Sequence, residues 1–146
     1  MSTTPVDLIF SLPIADRHRA MVFYRDCLGF EPLGEPTEDG VPEPLQFRLT
    51  AHTVLALIPT GGFGWVIGDR EVAPPTVSEC LLGLSQESAS GVTDTIERMH
   101  AAGGTILAEP EHQDWGFTGV CTDTDGHAWQ ITASPLPTPA GTGSER

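Results

Sequence analysis

The sequence predicts an α+β fold in which two βαβββ modules form a curved mixed sheet around a central cavity. Three observations lead to this prediction. Two segments share one order of strand, polar break, helix and glycine stop; the glycines that end the two helices, Gly29 and Gly103, lie 74 positions apart (103 − 29); and short strand candidates follow each helix. One such module cannot cover a curved sheet alone, whereas two can enclose a cavity.

The first module begins with the alternating stretch DLIFSLPI, which is typical of a strand. Asp16 is a plausible N-cap for the helix that follows, and Gly29 is placed to end it. Apolar residues recur along this helix at i, i+3, i+4 and i+7: Ala20, Phe23, Tyr24 and Cys27. Three strands are expected after it, around residues 30–33 and in PLQFRLT and TVLALIP.

The second module repeats this order from SECLLGL onward. Ser88 or Ser90 can cap its helix, and the Gly103-Gly104 pair stops it. The apolar stripe of the helix consists of Val92, Ile96 and Met99. The expected strands are TILAEP, FTGVCTD and HAWQITA.

These patterns divide the chain into one domain, residues 1–135, and a tail. The first module spans 6–60, a linker with turn-forming Gly-Gly and Pro-Pro pairs spans 61–77, and the second module spans 78–133. The tail, 136–146, is rich in Pro, Gly, Ser and Thr, and we expect it to be disordered.

Composition excludes several kinds of partner. Acidic residues outnumber basic ones by 20 to 7, the net charge is −13, and no lysine is present. A lysine Schiff base is therefore excluded, and we expect neither nucleic acid nor an anionic membrane as a partner, because both require a basic face. No apolar run approaches membrane-spanning length, and the start lacks the basic region of a secretory signal, so we expect a cytoplasmic protein. The separated Cys27, Cys80 and Cys121 are expected to be buried free thiols.

Two stretches resemble the vicinal oxygen chelate superfamily, which contains glyoxalase I, extradiol dioxygenases, fosfomycin-resistance enzymes and bleomycin-resistance proteins. The stretches are PIADRHRAMVFYRDCLGFEPL and AAGGTILAEPEHQDWGFTGVCTDTDGHAWQI. In the first, members show an Asp and a helix ending in FY..LGF; in the second they show AG, EP, WG and D.DGH.W. The resemblance covers about residues 6–133 and implies paired βαβββ modules, a homodimer, and a metal held by four side chains in the cavity.

The resemblance also implies where those four side chains lie. Transferred by spacing, the positions are Ile9, Ala56, Glu79 and Gln130, and a register shifted by one residue would give Cys80 in place of Glu79. Ile9 and Ala56 have no donor atom, so a metal would be left with Glu79 and Gln130 alone. Hard divalent ions and catalytic zinc require more ligands than this. We therefore expect no metal or other cofactor at these positions.

Two other motifs are weaker metal candidates. DTDG resembles the start of a calcium loop, but the later Glu is missing and a strand follows, which favours an Asp-Gly turn. His112 is expected in a loop at the cavity mouth, whereas His127 in the DGH corner is implied to be structural.

Aromatic residues near the expected cavity suggest a flat organic ligand. Trp65, Trp115 and Phe117 are candidate ligand contacts, with Glu79 or Gln130 as a polar anchor. The alternatives are that Phe117 and Trp129 belong to the core, that Trp65 covers a dimer interface, and that Glu79 faces solvent.

The leading functional hypothesis is binding and sequestration of a small, aromatic molecule by a homodimer, as the resemblance to bleomycin-resistance proteins implies. An enzyme is the alternative: a lyase, isomerase or dioxygenase that uses a divalent metal on Glu79, Gln130 and His112, or that uses Glu79 as a general base. A third class, an interaction module without a ligand, predicts a cavity filled by side chains.

Overall fold

The computed structural model describes residues 6–133. The elements, in chain order, are β1 (Leu8–Ile14), α1 (Arg17–Val22) with a π-helical continuation (Phe23–Cys27), β2 (Glu31–Pro32), β3 (Leu45–Thr50), β4 (Thr53–Pro59), α2 (Thr60–Val66), β5 (Leu81–Ser85), α3 (Ala89–Ala101), β6 (Ile106–Gln113), β7 (Gly116–Thr122) and β8 (Ala128–Ala133). The predicted order of two βαβββ modules is confirmed.

The strands form two four-stranded mixed sheets with the same topology. Their orders are β1-β4-β3-β2 and β5-β8-β7-β6. In each sheet the first strand of the module runs parallel to the last, and the remaining pairs are antiparallel. We expected one continuous sheet, but within this chain β1 and β5 are edge strands of separate sheets.

The helix ends follow from local chemistry. The Asp16 side chain accepts a hydrogen bond from Arg19 N at 2.8 Å, and Ser88, rather than Ser90, accepts one from Gly91 N at 3.1 Å. Gly29 and Gly103 follow the helices with φ of 75° and 113°, a region that favours glycine. The predicted caps and stops are confirmed.

The linker and the end of β6 differ from expectation. Gly61-Gly62 lies inside α2 rather than in a turn, because α2 packs against β1 and β4 and this contact outweighs the low helix propensity of glycine. β6 extends to Gln113 because Gln113 pairs with Gly116 and His112 with Phe117. His112 is therefore an exposed strand residue, and its predicted place in a loop is wrong. The predicted disordered tail lies outside the described residues.

One hydrophobic core joins the two modules. Tyr24 and Phe30 of the first module pack against Trp129 of the second, with ring centroids 5.9 Å from Trp129 in both cases. Cys27 and Cys121 are buried free thiols, and burial raises the pKa of Cys121 to about 11. Cys80 is exposed, so its predicted burial is wrong; it precedes β5 in a stretch that does not pack on the core. In residues 6–133 no helix has the length and apolar character needed to cross a membrane.

Candidate functional site

Each sheet has one face on the core and one face turned away from it. In β4, Leu55 and Leu57 belong to the core cluster, whereas Ala56 between them points the other way. In β8, Trp129 and Ile131 are core residues and Gln130 points away. We call the faces that carry Ala56 and Gln130 the outer faces of the first and second sheets. Because the other face of each sheet is filled by core residues, a ligand site on the strands would lie on these outer faces.

The four positions implied by the resemblance fall on or beside these outer faces. Ile9 pairs with Val54 and is 53% exposed, whereas Ala56 is buried and pairs with Ser11 and Gln46.

The second-sheet positions differ from these in both burial and chemistry. Gln130 is half-buried between Gly83 and Val120. Glu79 precedes β5 and is exposed, as the alternative of a solvent-facing Glu79 predicted. Among residues 6–133, no three or more His, Cys, Asp or Glu side chains come together in a group that could hold a metal ion.

Glu79 lines a cavity of about 290 Å³ between α2, the linker and the end of β1. Phe63 on α2 and Ile67, directly after the helix, form part of its apolar wall, and Pro13 lies near the end of β1. Arg70 supplies a positive charge to the same cavity. Across the described part of the chain, Arg70 makes neither an ion pair nor a side-chain hydrogen bond. Glu71 also lines the cavity, which thus combines apolar surface with two acidic groups and one basic group.

The aromatic candidates occupy different environments. Trp65 on α2 is 76% exposed, and Trp115 in the turn between β6 and β7 is 54% exposed. Phe117 packs against the core and meets His112 edge-on at 4.9 Å between ring centroids. Trp129 is buried, as the core alternative predicted. Phe117 therefore points into the protein, while Trp65 and Trp115 lie on its surface.

Sequence reasoning missed a buried polar network around Asp123, which directly follows β7. The carboxylate of Asp123 accepts hydrogen bonds from Asp125 N at 2.8 Å, from His127 N at 2.9 Å and from the Tyr24 hydroxyl. Trp129 Nε1 donates to the Tyr24 oxygen at 3.0 Å. Burial and the neighbouring Asp123 carboxylate raise the pKa of Tyr24 well above 10.0. The available signal was the D.DGH.W motif together with the single tyrosine of the chain.

The same turn attaches the second module to the first. His127 Nε2 donates to Pro13 O at 2.6 Å, and Ala15 N donates to Asp125 Oδ1 at 2.9 Å. The protein's own donors occupy both oxygens of Asp123, and Gly126 adopts φ of 90°. DTDG is therefore an Asp-Gly turn between β7 and β8, as expected, and His127 holds this turn to the end of β1.

Comparison with solved structures supports the same fold. A glyoxalase-related enzyme from Fulvimarina pelagi has a TM-score of 0.74 at 24% identity, covering 99% of this chain and 96% of that one. The hypothetical protein SA1046 from S. aureus has a TM-score of 0.74 at 20% identity, with 91% and 95% covered. TnmS3, an antibiotic binding protein from Streptomyces sp. CB03234, has a TM-score of 0.61 at 21% identity, with 92% and 100% covered.

At these identities the structures establish the fold alone, and no curated protein matches the chain. The family profile described as the Glyoxalase/Bleomycin resistance protein/Dioxygenase superfamily matches residues 8–131, which include both modules. The chain therefore belongs to the Glyoxalase/Bleomycin resistance protein/Dioxygenase superfamily.

Proposed function

We propose that this protein binds a small, aromatic organic molecule at the family site and acts by sequestering it, without a metal. The observation that carries the proposal is the set of residues at the four positions that hold the metal in the family: Ile9, Ala56, Glu79 and Gln130. Two of the four have no donor atom, and the exposed Ile9 adds apolar surface instead.

A divalent ion does not fit these residues. Ca²⁺ takes six to eight oxygen ligands, and catalytic zinc keeps three protein ligands. Glu79 and Gln130 offer two, of which only Glu79 carries charge, and Ile9 and Ala56 fill the other two positions with hydrocarbon. No reaction step is therefore assigned to a metal.

The surroundings of Glu79 support a planar ligand. Phe63 and Ile67 offer an apolar wall, while Glu79 and Arg70 offer a negative and a positive anchor in the same cavity of about 290 Å³. Trp65 and Trp115 do not line this cavity, but they leave large aromatic surfaces open to a ligand elsewhere on the protein. TnmS3, which shares the fold, is described as an antibiotic binding protein, and this supports small-molecule binding as a use of the fold.

We further propose that the binding unit is a homodimer in the cytoplasm. Three consecutive apolar residues of the edge strand β1, Leu8, Ile9 and Phe10, are 59%, 53% and 38% exposed, and Leu81 on the edge strand β5 is 55% exposed. Edge strands with exposed apolar side chains favour pairing with another chain. A second copy would cover this surface and add a wall to the outer face at Ile9. Free thiols fit a reducing compartment.

Tryptophan fluorescence provides the test of binding. We expect a saturable change in emission when acridine, anthraquinone and related planar compounds are titrated into the protein, because Trp65 and Trp115 become covered. Glu79→Gln and Trp65→Phe should each weaken binding at least tenfold for the compound that binds best. Glu97→Gln, on the exposed surface of α3, is the matched control and should leave it unchanged. Unchanged emission across the whole panel would contradict the proposal.

Metal content separates sequestration from the metal-enzyme alternative. Protein purified without a histidine tag, soaked in Mn²⁺, Fe²⁺, Ni²⁺ or Zn²⁺ and desalted, should retain no stoichiometric metal. About one equivalent per chain, lost in Gln130→Ala, would contradict the proposal and support a metal-dependent enzyme. The metal-free enzyme alternative predicts turnover that disappears in Glu79→Gln without loss of ligand binding.

A further inference from the structure

The cavity beside Glu79 holds three charged side chains that do not pair with each other. Arg70, Glu71 and Glu79 all line this cavity of about 290 Å³, and all three are exposed, so their charged groups are accessible to a ligand. Within residues 6–133, no nitrogen of Arg70 lies within 4.0 Å of a carboxylate oxygen, and neither glutamate forms an ion pair. Opposite charges therefore share one cavity with space between them.

The lack of a partner distinguishes Arg70 from the other arginines of residues 6–133. Those five all have acceptors in the protein: Arg17, Arg19, Arg25, Arg48 and Arg98. The closest comparison is Arg25, which pairs with its chain neighbour Asp26 at 2.8 Å, whereas Arg70 does not pair with its chain neighbour Glu71. The guanidinium group of Arg70 thus keeps its donors free for a ligand.

The remaining walls of the cavity suit one small aromatic ring system. Phe63, Ile67, Val72 and Pro13 are half-buried and give it apolar surface, against which a planar ring can pack. Cavities for drug-sized ligands have volumes of about 300–1,000 Å³. A volume of about 290 Å³ lies just below this range and favours a ligand smaller than a typical drug.

The three charges restrict the substituents that such a ring can carry. A ligand with an ammonium group alone would bring a like charge near Arg70, and a ligand with a carboxylate alone would bring one near Glu71 and Glu79. A ligand with both groups can place each of them beside its opposite. Guanidinium binds carboxylate through two parallel hydrogen bonds, and ammonium donates up to three. Selection of this kind uses repulsion of the wrong ligand as well as attraction of the right one.

We propose that this cavity binds a small aromatic zwitterion of the amino-acid type, with its carboxylate on Arg70 and its ammonium group on Glu79 and Glu71. The inference rests on the proposed function, because it names the class of aromatic ligand that is sequestered. Arg70 is the residue that distinguishes the zwitterion from a simple aromatic amine.

Free tryptophan, tryptamine and indole-3-propionate provide the test, because they share one ring and differ in their charged groups. Each compound is titrated into ¹⁵N-labelled protein at neutral pH and constant ionic strength, and the amide shifts of Arg70, Val72 and Glu79 give its Kd. We expect tryptophan to bind about fivefold more tightly than either of the others, which is the magnitude of one contact between exposed charges. Equal or weaker binding of tryptophan would overturn the proposal.

Variants identify the side chains responsible for this preference. Arg70→Gln should bind tryptophan and tryptamine about equally, because the carboxylate has lost its cationic partner. The double variant Glu71→Gln/Glu79→Gln should bind tryptophan and indole-3-propionate about equally. Arg25→Gln and Glu97→Gln alter exposed residues outside the cavity, and as matched controls they should keep the original preference. An unchanged preference in the cavity variants would show that these charges do not select the ligand.

The same titrations separate this inference from the proposed function. If acridine or another planar compound binds, but the three indole compounds bind equally or not at all, selection of a zwitterion is rejected and sequestration stands. If neither the planar compounds nor the indole compounds bind, both proposals are rejected.

Discussion

At the residue scale, the hydroxyl of Tyr24 connects the two modules through two hydrogen bonds. It donates to Asp123 and accepts from Trp129, and the ring is 1% exposed within the common core. Removing this hydroxyl leaves a buried carboxylate short of a donor, which is more costly than losing an exposed hydrogen bond.

We expect the tyrosine of the folded protein to resist ionisation. Its pKa is raised well above the ordinary 10.0, chiefly by burial. The unfolded chain therefore ionises first as pH rises. Below about pH 10 the stabilisation linked to this group is complete, and above it stability falls. Because the chain has a single tyrosine, tyrosinate absorbance reports this group alone. Half-ionisation near pH 10 in protein that is still folded would contradict the buried network.

Tyr24→Phe should lower the free energy of unfolding by about 1–3 kcal/mol, measured by urea denaturation. Combining it with Asp123→Asn should cost less than the sum of the two single changes, because both remove the same hydrogen bond. Ser11→Ala removes a hydroxyl from an exposed position on β1 and should change stability by less than about 0.5 kcal/mol. Strict additivity of the pair would show that the hydrogen bond does not couple them.

Site residues illustrate what spacing can and cannot predict. The alternation of β8 correctly indicates that Gln130 points away from the core, since Trp129 and Ile131 flank it. Spacing cannot tell that Glu79 lies in an exposed segment before β5, because that depends on where the linker leaves α2. It also gave no indication that Asp125 would keep an unpartnered oxygen.

At the element scale, short-range signals predicted α1, α3 and most strands. Asp16 and Ser88 cap their helices through contacts three residues away, and such contacts are visible in sequence. α2 was missed because its glycines disfavour a helix and only its packing on β1 and β4 supports one. The extension of β6 to His112 likewise depends on its partner β7.

Alanine in place of Gly126, in the turn between β7 and β8, and in place of Gly61, in α2, should change the stability of the protein in opposite directions. In Gly126→Ala the added methyl group would lie 2.2 Å from Pro75 O, and the φ of 90° at this position disfavours alanine. We therefore expect a loss of about 2–4 kcal/mol in unfolding free energy. Gly61→Ala adds a methyl group to α2 where no atom lies within 4 Å, and should be neutral or stabilising by up to about 1 kcal/mol. Urea denaturation of both variants provides the measurement. Equal unfolding free energies of the two variants would mean that Pro75 does not lie close enough to Gly126 to exclude a methyl group.

At the scale of the whole molecule, the proposed homodimer makes a separate prediction. Ile9→Lys places a charge in the exposed apolar row of β1 and should weaken dimerisation at least tenfold, because the charge would have to be desolvated at the interface. Size-exclusion chromatography with light scattering over a range of concentrations measures this. Glu97→Lys on the exposed surface of α3 is the control. A monomer at every concentration, or an unchanged dimer in Ile9→Lys, would contradict the proposed interface.

The sequence by itself determined the two βαβββ modules, their helix caps and the approximate extent of their strands, because these depend on hydrogen bonds and apolar periodicity between neighbouring residues. Only the tertiary structure decided that the strands divide into two sheets and that Glu79 is exposed. It also decided two contacts of the turn between β7 and β8. Asp123 bonds to Tyr24, 99 residues away in the chain, and His127 bonds to Pro13, 114 residues away. The physical reason is that these outcomes depend on how the modules pack against each other, and local propensities do not determine that packing.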